Sequence, residues 1–346
     1  MAKHIQLLDA TLRDGGQCLE DLNKNRFSNK IFTEEGKHKI INLLEESNIE
    51  IIEIGAIDPS TEDKSKFAIY KDIQQLSSYL PQNRKSKAMY AGLYIGPDTD
   101  INLIPDWNPS LVKGVRVILR YSELQKSLDY CRALSDKGYK VFVQPMLTMR
   151  YTDSELDLII NASNKMNAYA CYFVDSYGYM QPKDINRLFT YYNDRLDSNI
   201  KIGFHAHNNM NLAVSNVLSF INLDTERDLI IDSCATGMGQ GAGNLQTEII
   251  LPYLNENYGK QYDYNSILDI CDILDSNMIS QNLWGYSVTN LLPAIHKTAY
   301  KYSMMMRNKY KLTFKDINRI LKEMPNEMRN RYTIENLESL LKNKLK

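Results

Sequence analysis

The chain has 346 residues, 43% of them hydrophobic and 24% charged, an ordinary soluble composition with room for one large α/β barrel plus an extension or for two domains. A formal net charge of −1 gives no electrostatic footing for nucleic acid or an anionic membrane, so a small-molecule substrate is expected. Five scattered cysteines (Cys18, Cys131, Cys171, Cys234 and Cys271) without CxxC spacing argue against a disulfide framework or structural zinc and for a reducing cytoplasm. No apolar run approaches membrane-spanning length, and a strand-like segment follows the N-terminus at once, so neither a membrane span nor a signal peptide is expected.

In chain order, short apolar runs alternate with stretches of helical period. Strands are expected at residues 5–8, 51–54, 88–93, 115–119, 139–144, 170–174, 200–204 and 229–232. Helices are expected at 33–46, 122–133, 153–164 (capped by Thr152 or Asp153), 184–192, 212–221 and 245–254. Eight such units point to a (β/α)8 barrel, with an open doubly wound sheet as the alternative. Beyond Asn257 no strand pattern follows. Segments 264–274, 289–305, 314–323 and 333–345 all have helical period, so residues 1–258 are expected to form the barrel and 259–346 a helical extension. The Met304-Met305-Met306 run reads as helical core.

Chemistry in a barrel sits where strands end and the following loops begin. After the first strand, Asp9-Ala10-Thr11-Leu12-Arg13-Asp14-Gly15-Gly16-Gln17 sets a guanidinium beside a carboxylate in what reads as a tight, glycine-ended turn. The carboxylate suits a metal; the arginine suits a substrate carboxylate or an enolate oxygen, although such a pair can also simply tie a loop. His205-Ala206-His207 ends the seventh strand. Residues two apart on a strand face the same side, so both imidazoles can reach one ion. Gly237-Met238-Gly239-Gln240-Gly241-Ala242-Gly243-Asn244, after the eighth strand, can turn tightly and offer N–H groups to an anion. Its place after the last strand rules out a dinucleotide fingerprint. Glu53, Arg120, Gln144, Thr148, Asp175 and Ser176 are polar at strand ends. Of these, Glu53, Gln144, Asp175 and Ser176, with Arg13, are candidate substrate contacts.

Together, Arg13-Asp14-Gly15, His205-Ala206-His207 and Gly243-Asn244 resemble the signatures of the DRE-TIM metallolyases, metal-dependent carbon–carbon lyases and synthases, over residues 5 to about 256. The resemblance implies Asp14, His205 and His207 as ligands of a divalent metal, Mn2+ or Mg2+ ahead of Zn2+ or Co2+. It puts Asn244 beside them as a ligand or orienting group, and Arg13 against a keto oxygen. The loop 239–244 looks most like the 4-hydroxy-2-oxovalerate aldolases of this family. It lacks the cysteine of the hydroxymethylglutaryl-CoA lyases and the Glu-Arg pair of the isopropylmalate and homocitrate synthases. Trp284-Gly285-Tyr286-Ser287 is similar to the segment that delivers an active-site tyrosine in the aldolases, which makes Tyr286 a catalytic candidate.

One position departs from that pattern. The aldolases carry a histidine base where this chain has Gln17, as the synthases and the lyase do. A glutamine accepts no proton at neutral pH, which leaves Cys18, Tyr286 or a metal-bound hydroxide as base. The expected reaction is aldol cleavage or synthesis of a 4-hydroxy-2-oxo acid through pyruvate enolate. The alternatives are a Claisen-type condensation of an acyl-CoA with a 2-oxo acid, and a barrel subunit acting mainly with an aldehyde dehydrogenase partner. A homo-oligomer is compatible with either.

Overall fold

The computed structural model describes residues 4–60, 62–82, 87–277 and 283–342. Eight parallel strands form the barrel: β1 (Ile5–Asp9), β2 (Ile51–Ile57), β4 (Met89–Tyr94), β5 (Gly114–Leu119), β6 (Lys140–Pro145), β7 (Ala170–Asp175), β8 (Lys201–Ala206) and β9 (Leu229–Ser233). Their order is β1-β9-β8-β7-β6-β5-β4-β2, and β1 pairs with β2 through Leu8↔Ile51 and Asp9↔Ile52. That last pairing closes the sheet, so the barrel is formed and the open sheet is not. A short β3 (Ile69–Tyr70) pairs in parallel with the end of β2 through Ala56↔Ile69 and Ile57↔Tyr70. Every residue of β2, β7 and β9 is buried, as parallel strands covered on both faces require.

The outer helices are α1 (Thr11–Lys24), α2 (Glu34–Glu46), α3 (Ile73–Ser77), α4 (Leu124–Asp136), α5 (Asp153–Lys165), α6 (Pro182–Asn193), α7 (Ala213–Ile221) and α8 (Thr247–Tyr258). Local chemistry fixes their starts: Thr33 caps α2 by accepting from the Gly36 N–H, and Thr152 forms a capping box with Glu155 on α5. The stretch after β1 is the main departure from the sequence pattern. It is a helix from Thr11 onward, not a tight turn. Asp9 starts it by accepting from the Thr11 N–H (2.9 Å) and hydroxyl (2.9 Å). The two glycines that suggested a turn serve close packing instead. A Cβ on Gly16 would lie 1.8 Å from the Phe67 carbonyl oxygen, and one on Gly15 would lie 2.4 Å from Met238 Sδ.

The extension comprises α9 (Tyr264–Asn277), α10 (Val288–Ile295), α11 (Tyr300–Asn308), α12 (Phe314–Lys322) and α13 (Ile334–Lys342). Segment 289–305, expected as one helix, is broken at a left-handed Lys297 (φ 52°), where the Thr298 N–H turns back to the Pro293 carbonyl. Residues 343–345 of the last expected helix lie outside the described residues. Ile267, Ile270 and Leu274 of α9 join the barrel core, whereas Leu292, Tyr302, Met306, Ile317, Ile320 and Leu340 form a second core. Met306 is fully buried there and Met304 packs on Cys18 and Leu22, so the methionine run is core as expected. Among the described residues no helix is long and apolar enough to cross a membrane.

The extension lies across the C-terminal ends of the strands. Trp284 Nε1 donates to the Thr236 carbonyl after β9 (3.0 Å), and Asn209 after β8 donates to the Asn290 carbonyl (3.1 Å). Arg150 after β6 donates to the Lys297 carbonyl (2.6 Å), and Tyr300 donates to Asp21 of α1 (2.6 Å), which also pairs with Lys301.

An alanine inside a helix is ordinarily about 1 kcal/mol better than glycine. At Gly16 the backbone oxygen in the way reverses that sign, and Gly16→Ala is expected to cost about 1–3 kcal/mol in urea unfolding. Gly15→Ala should cost less, because the obstructing Met238 side chain can swing aside. A Gly16→Ala protein as stable as the parent would contradict this packing.

Candidate metal and substrate site

Asp14 sits in the first turn of α1, and His205 and His207 stand at the end of β8, their rings 5.0 Å apart and nearly perpendicular. The ligand atoms of these three buried residues all lie within 4.8 Å of one another. The histidines are oriented from behind. His205 Nδ1 meets Asp232 Oδ2 at 2.9 Å and His207 Nδ1 meets the Gly243 carbonyl at 3.2 Å. Both partners only accept, so each Nδ1 carries hydrogen and each Nε2 faces Asp14, at 3.3 Å and 4.0 Å from Oδ2. Asn244 Nδ2 donates to Asp14 Oδ2 (2.8 Å), while its Oδ1 is buried without a hydrogen-bond partner among the described residues.

A carboxylate oxygen and two imidazole nitrogens thus converge, with the amide of Asn244 beside them. Such a set calls for a positive species, and its mixed oxygen and nitrogen donors fit a divalent ion. Burial disfavours charge on His205, yet its bonds to Asp14 and Asp232 prevail and make the ring more basic than usual. Burial pushes His207 down to about 4. Burial alone would raise Asp14; Arg13 and the two histidines outweigh it and hold the carboxyl far below its ordinary range.

The loop 237–244 holds Asn244 by folding onto itself. The N–H groups of Gly237, Met238, Gly243 and Asn244 bond to carbonyls of Cys234, Ala235, Gln240 and Gly237, so these four are occupied internally and not offered to an anion. Gly243 has φ 80°, and a Cβ there would lie 1.9 Å from the Gly237 oxygen, which leaves glycine as the residue that fits.

Beside the donor cluster lies Arg13. Its Nε donates to Glu53 Oε2 (2.7 Å), its Nη1 to Gln17 Oε1 (3.2 Å), and Nη1 stands 3.5 Å from Asp14 Oδ2. Arg13, Asp14 and Gln17 therefore come together along one side of α1. Gln144 is buried on β6 against Arg116; with its amide oxygen turned to that guanidinium it accepts from Nε (3.2 Å) and Nη2 (3.1 Å).

Asp175 and Ser176 shape the neighbouring loops. Asp175 accepts from the N–H groups of Tyr179 (2.9 Å) and Met180 (3.0 Å), and burial pushes its carboxyl up to about 7. Ser176 Oγ accepts from the Leu147 N–H (2.8 Å). Thr148 likewise ties β6 to β7, and Arg120 forms a surface ion pair with Asp98. Tyr286 is 58% exposed, next to the anchored Trp284. Cys18 lies on α1 one turn beyond Asp14 and is buried against Leu22 and Met304. Burial, with Asp14 and Asp21 nearby, pushes its thiol well up.

Sequence reasoning passed over three residues of the same cluster: Arg116 on β5, Tyr172 on β7 and Asp232 on β9, all buried and mutually bonded. A signal was present, since Val115-Arg116-Val117 sets a charge in the middle of an otherwise apolar strand.

The HMGL-like family model matches residues 4–277. The chain belongs to this family. It is 28% identical over 281 residues to a 4-hydroxy-2-oxovalerate aldolase of Pelotomaculum thermopropionicum, covering 79% of this chain and 77% of the relative. With a 4-hydroxy-2-oxovalerate aldolase of Carboxydothermus hydrogenoformans the identity is 25% over 325 residues, 92% of this chain and 91% of the relative. The HMG-CoA lyase of Bacillus subtilis shares the fold, with a TM-score of 0.63 at 15% identity over 80% of this chain and 94% of that one. The protein is thus an enzyme of the aldolase and lyase kind, as its sequence signatures imply.

The raised Cys18 thiol has a direct consequence. Iodoacetamide at pH 8 should alkylate Cys18 in the native protein no faster than the protein unfolds, read by peptide mass spectrometry. Rapid labelling of Cys18 in folded protein would contradict the assignment.

Proposed function

We propose that the protein is a divalent-metal-dependent aldolase that makes or breaks a carbon–carbon bond of a 4-hydroxy-2-oxo acid, with pyruvate enolate and an aldehyde as the other partners. The observation that carries this reading is the convergence of Asp14, His205 and His207 beside a guanidinium held by Glu53 and Gln17. Asp14, His205 and His207, with Asn244 next to them, would hold the ion, Mn2+ or Mg2+ in preference. When bound, the ion supplies a Lewis acid for a keto oxygen and its neighbouring carboxylate.

The chain's own groups supply the rest. Glu53 and Gln17 fix the Arg13 guanidinium, so its free N–H groups wait where negative charge develops on the keto oxygen as an enolate forms. A preorganised donor of this kind is typically worth roughly 3 kcal/mol. Formal charges agree with an anionic substrate. Asp14, Glu53 and Asp232 carry three negative charges against two positive ones on Arg13 and Arg116. A divalent ion brings the cluster to +1, which one substrate carboxylate neutralises. Gln17 orients Arg13 and takes no proton. The extension across the barrel mouth would shield the enolate from water.

Gln17 is also what the Claisen-type synthases carry, so a condensation of an acyl-CoA with a 2-oxo acid is the second reading. The two differ in product: pyruvate release from 4-hydroxy-2-oxovalerate supports the aldolase, and free-thiol release from acetyl-CoA with a 2-oxo acid supports the synthase.

Asp14→Asn and His205→Ala are each expected to abolish stoichiometric Mn2+ binding and pyruvate release. Retention of both by either variant would sink the assignment. A proton effect should accompany binding. The raised basicity of His205 means a proton occupies it further up the pH scale than in free histidine, and an ion must displace that proton. Mn2+ affinity is therefore expected to fall as pH drops, with proton release visible as buffer-dependent calorimetric heats. His207, already neutral above about 4, should contribute none at pH 6 to 8.

A further inference from the structure

Behind the donor cluster, the barrel interior holds a guanidinium where branched aliphatic side chains ordinarily sit. Arg116 is 1% exposed. Its Nη1 donates to Glu53 Oε2 at 2.6 Å, its Nη2 pairs with Asp232 Oδ2, and its Cζ lies 5.0 Å from the centroid of the Tyr172 ring. The Tyr172 hydroxyl closes the arrangement by donating to Asp232 Oδ1 (3.0 Å). Each carboxylate oxygen that Arg116 engages is shared with a residue of the site: Glu53 Oε2 also receives Arg13 Nε at 2.7 Å, and Asp232 Oδ2 also receives His205 Nδ1 at 2.9 Å.

We propose that Arg116 is a positioning residue that acts through Glu53 and Asp232 to hold Arg13 and His205 at once. It thereby sets the direction of the His205 Nε2 lone pair and of the Arg13 guanidinium from a single point. The inference rests on the proposed function only for what those two residues do; the positioning itself is a property of the polypeptide.

Three arguments favour this over a purely structural ion pair. Replacing a buried ion pair with apolar side chains of similar size is often neutral or stabilising, so stability alone does not account for three charges here. The shared oxygens are the ones that face the site. The planar fork of arginine can engage carboxylates on β2 and β9 together, whereas a lysine ammonium reaches them as a point charge and cannot reproduce both contacts.

The test uses Arg116→Lys and Tyr172→Phe in the full chain, each first shown folded by circular dichroism. The primary readout is the Nδ1–H resonance of His205 in metal-free, 15N-histidine-labelled protein, assigned by its loss in His205→Asn. The parent should show a downfield, slowly exchanging proton. Arg116→Lys should lose it or move it upfield, and Tyr172→Phe should shift it by a smaller amount. In calorimetry, Mn2+ affinity should fall about 10–100-fold in Arg116→Lys, the range seen when a group orienting a metal ligand is altered, and less in Tyr172→Phe. Folded variants with an unchanged His205 resonance would overturn the proposal. A parent protein that binds no Mn2+ would instead defeat the metal reading, and the resonance would still decide the role of Arg116.

Discussion

The rest of the site depends on one constraint: a carboxylate and two imidazole nitrogens are held within 4.8 Å of one another with little exposure to solvent. Asp14 Oδ2 has a donor in Asn244 Nδ2, but Asn244 Oδ1 has no partner among the described residues, and the Nε2 atoms of His205 and His207 face the Asp14 carboxylate. Acceptors buried without donors are destabilising unless a cation or proton joins them. A chain that folds this way stores a demand for positive charge, and the demand sits beside a second, fixed positive charge on Arg13. The proposed metal-assisted stabilisation of an enolate would use both features.

The fold meets that demand with parts drawn from all around the barrel. α1 supplies Arg13, Asp14 and Gln17, β2 supplies Glu53, β8 supplies the histidines, and the loop after β9 supplies Asn244. None of these positions is fixed by its own element alone. Asp9 starts α1, the Phe67 carbonyl leaves room only for glycine at position 16, and Gly243 lets the last loop double back. The extension then crosses the mouth through contacts to the ends of β6, β8 and β9 and to α1. Ordering of the site's groups is thus distributed over long sequence separations, the usual way a barrel combines a rigid frame with loop-borne chemistry.

How legible this was in the sequence follows from the range of the forces involved. Strands and outer helices were readable because burial imposes a local period, and the His205-Ala206-His207 pair because two-residue spacing fixes a shared face. The helix after β1 was not, since Gly15-Gly16 has the composition of a turn and its true cause is the approach of Phe67, some 50 residues on. Arg116 and Asp232 were passed over for a related reason. Strand position says which way a side chain points, but their meaning lies in partners on other strands, 63 and 116 residues away from Arg116. The burial of Cys18 became readable only with Leu22 and Met304 packed over it.

The central claim is that this cluster stabilises a pyruvate enolate, and the most direct measurement is exchange of the pyruvate methyl protons in D2O, followed by proton NMR. The account predicts exchange that requires both the protein and Mn2+ and is lost in Arg13→Ala. Exchange no faster than with Mn2+ in buffer, in a protein shown to have bound the ion, would contradict it.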